Sequence, residues 1–510
     1  MCALSHARRR LPRLAGIAAV WALASGLAAA TPENRKDERP NIVFILADDL
    51  GYGDLGCLNP DSKISTPNMD RLADDGLRFT DAHSPSAVCT PTRYGILTGR
   101  YCWRTRLKRG VLWNGYARSL IEPSRETVAS LLGRHGYHTG CVGKWHLGLD
   151  WAGADGESVT ADRHDHVDFS RPVSAGPRDA GFEYSCIIPA SLDMPPYCWV
   201  ENHRTVEAPT IEDPGSARVW SGGDGFRRAG LRAPGFSFRE VLPTIVKKPV
   251  TYLEKRAAEG GPFFLYVSFT SPHTPWVPNE AFRGRSGAGT YGDFVHETDW
   301  AVGQILDALE RCGLAQETLV ILTSDNGSHW PAGQIQRYDH RANHRFRGQK
   351  ADIWEGGHRV PFLVRWPGRT RPGAVCDDLI CLTDLLATTA SIVGAKLPDD
   401  VGEDSASFLP HLLGEHVAPI HEALVHHSLH GVFAIRQGRW KLILGRGSGG
   451  FTEPRRITPE EGEPRGQLYD LRADPGESRN LWSERRDVVE RLRELLKRYR
   501  TAGRSTPRPE

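Results

Sequence analysis

The sequence has neither a large net charge nor a long apolar run, and each absence argues against a class of function. Of the 510 residues, 64 are Lys or Arg and 62 are Asp or Glu, which gives a net charge of +2. Residues 1–30 carry four arginines and no acidic residue, so the chain without them has a charge of 2 − 4 = −2. Binding to nucleic acid depends on a basic surface. We therefore expect no nucleic-acid partner, and any anion must be bound by a local site.

Cysteine is also scarce. The chain has ten cysteines, nine of them after residue 30, so its stability must come mainly from an apolar core. Cys186 with Cys198, and Cys376 with Cys381, are near enough in sequence to be candidate disulfides, but spacing alone does not establish a pair. The odd number nine fits a cysteine that is diverted to other chemistry.

Residues 1–30 have the pattern of a secretory signal peptide. A cluster of arginines precedes an apolar stretch at residues 14–27, and small residues follow at 28–30, as in exported proteins. A membrane anchor is the alternative, but the apolar stretch is shorter than a spanning helix requires. We expect export to the periplasm or the medium, without a stable membrane anchor.

Strand-like and helical patterns alternate through the first 400 residues. Short apolar, β-branched runs predict strands, and amphipathic stretches predict helices; the strands are at 41–46, 138–142, 263–269, 319–323 and 362–366, and the helices at 66–76, 127–134 and 293–311. This alternation predicts an α/β catalytic domain over 38–400 with a large, mostly parallel sheet flanked by helices. Residues 150–240 are rich in Gly, Pro and Asp, which predicts an irregular insertion that shapes a binding mouth.

The pattern changes after residue 400. Four short strands at 424–427, 432–436, 440–444 and 467–471 precede an amphipathic helix with six apolar residues on one side: Val488, Val489, Leu492, Leu495, Leu496 and Tyr499. This order predicts a smaller C-terminal domain over 401–500, an antiparallel sheet packed by a helix. The polar, proline-containing segment 501–510 is expected to be a disordered tail.

Two pairs of oxygen-bearing residues directly follow predicted buried strands. Asp48 and Asp49 follow the first strand, and Asp325 and Asn326 follow the strand at 319–323. Ligands bind at the carboxyl ends of strands in α/β sheets, and adjacent carboxylates repel each other unless a cation neutralises them. Three carboxylates and an amide, with no histidine, suit calcium better than zinc. A solvated acidic turn is the alternative for each pair.

Cationic residues and histidines occur in further segments. Lys144 and His146 follow the strand at 138–142, and two residues that are two apart on an extended segment project to the same side. One can hold an anionic oxygen while the other moves a proton. His273 also follows a predicted strand, and Lys350 precedes a glycine turn. Each alone is compatible with a surface residue, but together with Arg93 they would form one concentrated anion-binding site.

Cys89 begins the run Cys-Thr-Pro-Thr-Arg, which is followed at 97–100 by Leu-Thr-Gly-Arg. A buried structural cysteine is the ordinary interpretation of this residue. The run and the segments described above, however, resemble the type I, formylglycine-dependent sulfatase family of the alkaline phosphatase superfamily. The resemblance spans 41–362, and the C-terminal sheet and helix also look like that family's smaller domain. Thr92 stands where serine is commoner in the family, but the Cys-X-Pro-X-Arg core is intact.

The resemblance implies hydrolysis of sulfate esters with two special groups. One is a calcium ion, one per chain. The other is formylglycine (3-oxoalanine), made from Cys89 by a formylglycine-generating enzyme during maturation. The implied calcium ligands are Asp48, Asp49, Asp325, Asn326 and residue 89 itself.

The resemblance also implies a role for each remaining site residue. Arg93 would hold the formylglycine and the surroundings of the metal, and His146 would assist the nucleophilic hydroxyl. His273 would be the general acid for the leaving group, and Lys350 would stabilise the leaving oxygen. The residues implied to bind the sulfate are Lys144, Ser191, His273 and Lys350.

A sulfated carbohydrate is the expected substrate, because export and the polar and aromatic side chains of the insertion suit a sugar. These side chains are Tyr197, Trp199, Asn202, His203 and Arg204, and they fit ordinary packing equally well. Two other functions remain open. One is a formylglycine-dependent phosphonate or phosphodiester hydrolase of the same superfamily, and the other is a non-catalytic protein that binds sulfated glycans.

Overall fold

The computed structural model describes residues 39–157, 159–216, 225–415 and 418–507. The expected signal peptide at residues 1–30 lies outside these ranges, as do residues 508–510. Within these ranges, no helix combines the length and the apolar character needed to cross a membrane.

Helices and strands alternate along the described chain, as the sequence predicts. The α-helices are α1 (Pro67–Asp74), α2 (Cys89–Thr98), α3 (Val128–Arg134), α4 (Val241–Glu259), α5 (Gly289–Arg311), α6 (Ala332–Tyr338), α7 (Glu355–His358), α8 (Leu385–Ile392), α9 (Leu409–Leu412) and α10 (Arg486–Thr501). The strands are β1 (Asn41–Asp48), β2 (Leu77–Phe79), β3 (Ala82–His83), β4 (His138–Lys144), β5 (Tyr184–Ile188), β6 (Val200–Glu201), β7 (Arg204–Thr205), β8 (Ile211–Asp213), β9 (Gly230–Arg232), β10 (Phe263–Pro272), β11 (Thr318–Ser324), β12 (Phe362–Arg365), β13 (Ala374–Cys376), β14 (Ile380–Cys381), β15 (Leu424–His427), β16 (Phe433–Gln437), β17 (Trp440–Ile443) and β18 (Gln467–Asp470).

A ten-stranded sheet forms the centre of the larger part, in the order β13-β2-β12-β11-β1-β10-β4-β5-β6-β7. The five strands from β11 to β5 are mutually parallel. Every residue of β1 is buried, which explains its continuous apolar sequence, since a strand covered on both faces has no polar side. Helices α4 and α5 pack against β10, and α3 packs against β4. The predicted α/β class is confirmed, and antiparallel β12 makes the sheet mixed.

The second sheet is antiparallel, in the order β15-β16-β17-β18. The six apolar residues expected on one side of the terminal helix α10 are all buried against this sheet. Tyr101 and Trp103, from the predicted catalytic domain, are members of the same apolar cluster. Residues Arg39–Glu510 form one compact unit, so the two predicted domains share a core.

Three local expectations differ from the structure. All nine cysteines among the described residues are free thiols, so neither Cys186–Cys198 nor Cys376–Cys381 is a disulfide. The insertion at 150–240 is partly regular, because β5, β6 and β7 extend the large sheet. Ser505, in the tail expected to be disordered, is buried, and its Oγ donates a hydrogen bond to Asp404 Oδ1 over 2.8 Å.

Candidate active site

The polar residues singled out in the sequence converge at one edge of the large sheet. Five neighbouring parallel strands end there, and parallel strands present their carboxyl ends at the same edge. In sheet order, the residues at or after these ends are Asp325 and Asn326 (β11), Asp48 and Asp49 (β1), His273 (β10), Lys144 (β4) and Ser191 (β5). The topology therefore brings together segments that lie far apart in the chain.

The turn after β1 fixes the two adjacent carboxylates. Asp49 has φ of 66°, a left-handed conformation that few non-glycine residues adopt. The chain therefore bends as soon as the strand ends. The backbone N–H of Asp49 donates to Asp325 Oδ1 over 3.2 Å, and that of Leu50 donates to Ser324 Oγ over 2.9 Å. These bonds hold the end of β1 against the end of β11.

Cys89 is the first residue of α2, and Arg93 lies one helical turn later. Both are buried. The Nε and Nη2 atoms of Arg93 donate to Asp325 Oδ2 over 3.0 and 2.7 Å, and Nη1 donates to the Lys144 carbonyl oxygen over 3.2 Å and to Ser268 Oγ. Although burial opposes its charge, Asp325 and Asp48 raise the pKa of Arg93 above its usual range. Arg93 therefore links α2 to β11, β4 and β10.

Glycine 143 lets β4 lie close to β10 just before Lys144. Its φ is 107°, and a Cβ atom there would lie 1.9 Å from the carbonyl oxygen of Ser268. Only glycine accommodates both the backbone conformation and this close approach. The tight contact places Lys144 at the end of β4, next to the carboxylates of β1.

Two buried lysines neutralise the aspartates of β1. Lys144 Nζ donates to Asp48 Oδ2 over 2.6 Å and to Ser191 Oγ over 3.3 Å. Lys350 Nζ donates to Asp49 Oδ2 over 2.8 Å. Although burial would raise the pKa of Asp49, Lys350 and His273 lower it below the usual range. Both lysines are thus held beside the carboxylates as hydrogen-bond donors.

The two site histidines are buried and neutral. His273 Nδ1 donates to the Thr274 carbonyl oxygen over 2.6 Å, and its Nε2 lies 3.8 Å from Asp49 Oδ2. Burial, and then Lys350, lower the pKa of His273 to about 4. His146 Nε2 donates to the Leu112 carbonyl oxygen over 2.7 Å, while its buried Nδ1 has no hydrogen-bond partner among the described residues. Because a carbonyl oxygen only accepts hydrogen bonds, the proton of neutral His273 is assigned to Nδ1 and that of neutral His146 to Nε2. Nδ1 of His146 can therefore accept a proton.

The prediction that Lys144 and His146 share an extended segment is wrong. Strand β4 ends at Lys144, and His146 has φ of 55°. His146 enters the site through a turn, because its backbone N–H bonds to the carbonyl oxygen of Pro189 after β5.

The oxygen donors of Asp48, Asp49, Asp325 and Asn326 fit a hard cation. Asp48 Oδ1 and Asn326 Oδ1 are buried and lack a hydrogen-bond partner within the described part of the chain. Burial and the carboxylate of Asp48 raise the pKa of Asp325, although Arg93 opposes this shift. Buried carboxylate and amide oxygens that lack hydrogen-bond donors are the ligands that calcium or magnesium takes in proteins. Oxygens of Asp48 and Asp49 also lie within 4.8 Å of each other and of a His273 nitrogen.

Cys89 itself is poorly suited to act as a thiolate. Burial raises the pKa of its thiol, although Lys144 and Lys350 oppose the shift. The thiolate is the nucleophilic form of cysteine. An unmodified Cys89 would therefore be a weak nucleophile in this position.

Three residues near the site escaped the sequence analysis. Ser268, inside β10, accepts a hydrogen bond from Arg93. Asp193 is a buried carboxylate two residues after Ser191. His329 interacts with the charges of Asp49 and Lys350, and burial lowers its pKa to about 4. A serine within a strand or an aspartate within a loop carries no signal of its own, and only the proximity of His329 to Asn326 in sequence was informative.

The aromatic residues of the insertion pack within it. The Tyr197 hydroxyl donates to the Arg228 carbonyl oxygen over 2.6 Å, and its ring makes an edge contact with Phe238. Trp199 contacts the ring of Phe236. The packing interpretation thus accounts for these two side chains.

Comparisons with known proteins agree with this arrangement. A family model described as "Sulfatase" matches residues 40–395, and one described as "N-sulphoglucosamine sulphohydrolase, C-terminal" matches residues 343–502. The N-acetylgalactosamine-6-O-sulfatase of Bacteroides thetaiotaomicron is 34% identical, over 98% of this chain and 100% of that protein. Human arylsulfatase A is 35% identical, over 90% of this chain and 85% of that protein.

The fold of this chain also matches that of a solved structure. That structure comes from work on the metabolism of multiple glycosaminoglycans by Bacteroides thetaiotaomicron, and it matches with a TM-score of 0.78 and 33% identity over 91% of this chain and 100% of that one. The structural neighbours share the alkaline-phosphatase-like architecture seen here. The family model spans more than half of the chain, and the relatives match nearly its full length. The chain therefore belongs to the sulfatase family and is a sulfuric ester hydrolase.

Proposed function

We propose that this sulfatase removes sulfate from a sulfated carbohydrate by using a formylglycine at position 89 and one calcium ion. The main support is the connection between α2 and β11. Arg93 donates two hydrogen bonds to Asp325 and lies one helical turn from Cys89. A single buried side chain thus joins the modifiable cysteine to the candidate metal ligands.

Calcium would be held by the four oxygen-bearing side chains and by residue 89, and the unpaired Asp48 and Asn326 oxygens support this assignment. When bound, calcium supplies positive charge that polarises the sulfate oxygens. Hydrated formylglycine would supply one hydroxyl that attacks sulfur as the S–O bond to the alcohol breaks, and a second whose proton loss restores the aldehyde as the C–O bond to sulfate breaks. The intact Cys-X-Pro-X-Arg run supports maturation by a formylglycine-generating enzyme.

The charges of the site suit a sulfate monoester. Three carboxylates (Asp48, Asp49 and Asp325) balance the three cations Arg93, Lys144 and Lys350. A divalent cation would leave an excess charge of 3 + 2 − 3 = +2, which attracts the sulfate anion. Donors and charges that are already in place stabilise negative charge in the transition state without reorganisation.

The two histidines would move protons on either side of the sulfur. His146 has a buried, unpartnered Nδ1, which can accept a proton from the nucleophilic hydroxyl. His273 Nε2 lies 3.8 Å from Asp49 Oδ2, and in its imidazolium form this histidine would protonate the leaving alcohol. Because a nearby anion favours the imidazolium form, a bound sulfate would raise the pKa of His273 above that of the empty site.

N-acetylgalactosamine 6-sulfate is the first saccharide to test. The full-length similarity to a protein with the name N-acetylgalactosamine-6-O-sulfatase supports this choice. The arginine-rich, apolar pattern of residues 1–30 supports export, which would bring the enzyme to extracellular glycans.

The experiment combines chemistry at residue 89 with substrate comparison. The protein is produced with a formylglycine-generating enzyme, and the peptide that contains residue 89 is examined by mass spectrometry. Activity is measured on N-acetylgalactosamine 6-sulfate, other O- and N-sulfated saccharides, an aryl sulfate and an aryl phosphodiester. We expect the aldehyde at residue 89, turnover of a sulfated saccharide and loss of activity on calcium removal.

Other outcomes would contradict the proposal. Faster turnover of the phosphodiester would indicate the related hydrolase, and binding of sulfated saccharide without any hydrolysis would indicate a glycan-binding protein. Full activity with an unmodified Cys89 would contradict the formylglycine mechanism. Cys312→Ser is the matched control, because Cys312 is a free thiol at the end of α5, and it should retain full activity.

A further inference from the structure

Asp193 is a buried carboxylate that the proposed mechanism does not use. It lies in the turn after β5 and is 4% exposed. Its Oδ2 accepts a hydrogen bond from Arg228 Nη1, whereas its Oδ1 is buried without a partner among the residues that the structure describes. An unsatisfied buried acceptor is costly, so Oδ1 lacks a donor that a ligand could supply.

Two observations place Asp193 beside the sulfate-binding residues. Ser191, two residues before Asp193, has its Oγ 3.3 Å from Lys144 Nζ and 3.4 Å from His273 Nδ1, so the turn that carries both residues contacts the site. The next residue, Met194, belongs to the same apolar cluster as Cys89. The turn that carries Asp193 thus borders the site.

The chemistry of this carboxylate defines its ligand. An ionised carboxylate only accepts hydrogen bonds, and it repels a sulfate group. It therefore selects a neutral donor, such as a hydroxyl group, on the part of the substrate that is not sulfated. Arg228 is 31% exposed in its side chain, and its remaining N–H groups can donate to sugar oxygens. A buried acceptor beside a partly exposed donor matches the two roles of sugar hydroxyls.

We propose that Asp193, positioned by Arg228, binds a ring hydroxyl of the sugar that carries the sulfate and thereby determines which saccharides are hydrolysed. This subsite rests on the proposed function, because it requires a carbohydrate substrate. Asp193 would act through binding and orientation, while the sulfate itself stays with the lysines.

The test is Asp193→Asn, which keeps the size of the side chain and removes its charge. We expect kcat/KM for N-acetylgalactosamine 6-sulfate to fall by about 10- to 100-fold, the range for loss of a hydrogen bond to a charged group. Inhibition by inorganic sulfate should be as strong as in the wild type or stronger, because a neighbouring negative charge has been removed.

Asp213→Asn is the matched control. Asp213 is a buried carboxylate of the same insertion, but Arg227, Arg232 and the N–H of Gly215 already occupy both of its oxygens. This variant should keep the wild-type kcat/KM. A loss in both variants would show that the insertion merely needs its buried ion pairs, which would overturn the subsite.

Substrate analogues that each lack one ring hydroxyl identify the partner group. For one of them, wild type and Asp193→Asn should have equal kcat/KM, because the interaction is already absent. An equal deficit of the variant on every analogue would overturn the proposal, as would wild-type kcat/KM on the parent saccharide. If the wild type hydrolyses aryl sulfates but no saccharide, the proposed carbohydrate substrate fails and this subsite fails with it.

Discussion

At the scale of single residues, Arg93 connects the helix that carries Cys89 with the candidate metal ligands. It donates to Asp325, to Ser268 and to the Lys144 carbonyl oxygen from a fully buried position. A guanidinium group presents several donors in a fixed plane, which a lysine ammonium does not reproduce. The geometry of the site therefore depends on arginine specifically, and charge alone is not sufficient.

Arg93→Lys tests this dependence. We expect kcat to fall by about 100-fold or more, since misplacement of reacting groups by about 1 Å has effects of this size. The melting temperature should also fall, because buried acceptors lose their donors. Arg239→Lys is the control, since Arg239 makes an exposed ion pair with Glu280. Wild-type kcat for Arg93→Lys would contradict the central role of Arg93.

Cys89→Ser tests the need for two hydroxyls. A serine can accept a sulfate group but has no second hydroxyl to expel it. We expect at most one equivalent of product alcohol per chain, followed by no further turnover, when product is followed in a rapid-mixing experiment. Continuous turnover at the wild-type rate would rule out the formylglycine mechanism.

At this scale the sequence predicted which polar side chains the sheet brings together where those residues lie at the ends of buried strands; their roles stay predictions. Asp48 and Asn326 are recognisable by this position alone. Asp193 was not recognisable, since its position near the site depends on a turn that also places Ser191 Oγ 3.4 Å from His273 Nδ1. The position of His146 was also mispredicted, because its left-handed backbone is a product of tertiary contacts.

At the scale of elements, α10 holds the smaller sheet in place. Its apolar side chains pack against β16 and β17. A helix with polar residues on its other side gains its stability mainly from such packing. The amphipathic pattern predicted this helix and its buried face correctly.

Leu492→Ala measures this packing. Leu492 is fully buried in the cluster, and truncation of a buried leucine costs about 2–5 kcal/mol. We expect the free energy of unfolding to fall within that range in guanidinium denaturation. Leu413→Ala, at a residue that is 38% exposed, should change it by less than about 0.5 kcal/mol. A loss for Leu492→Ala as small as that of the control would show that α10 contributes little.

Long elements were predicted more reliably than short ones. Strands β1, β4, β10 and β11 have apolar runs long enough to be recognised. Strands such as β3 and β6 contain two residues each, and no period can be read from two residues. Helix α5 begins at Gly289, before the predicted start at residue 293, since glycines obscure its first turn.

At the scale of the whole molecule, a buried polar network joins the two sheets. Arg436 of β16 donates to both oxygens of Asp81. Lys441 of β17 donates to Glu355 Oε1 over 3.0 Å and lies 2.9 Å from Glu477 Oε1. This network could not be predicted from the sequence, because its members lie far apart in the chain. Together with the shared apolar cluster, it makes the two predicted domains one unit.

Buried histidines beside this network make stability depend on pH. These histidines are His83, His358, His426 and His427. Burial lowers the pKa of each of them, and that of His427 falls to about 4. The unfolded chain binds these protons below about pH 6.5, whereas the folded protein binds them only at lower pH. The free energy of unfolding should therefore fall as the pH falls from 6.5, by up to about 1.4 kcal/mol per pH unit for each histidine.

His427→Gln tests this sign. Between pH 6.5 and pH 4, the unfolded and folded states of the variant should differ by about one bound proton fewer than those of the wild type. Guanidinium denaturation at several pH values measures this difference as the slope of the free energy of unfolding against pH. An unchanged slope for His427→Gln would show that this histidine takes up its proton in the folded state as well.

The central claim is that a cation and a modified residue 89 share one site at the carboxyl edge of the large sheet. A crystal structure of the matured enzyme with calcium tests this most directly. We predict a single cation bound by Asp48, Asp49, Asp325 and Asn326, with formylglycine at position 89 among its ligands. An active enzyme whose cation lies elsewhere, or whose residue 89 is an unmodified cysteine, would contradict the account.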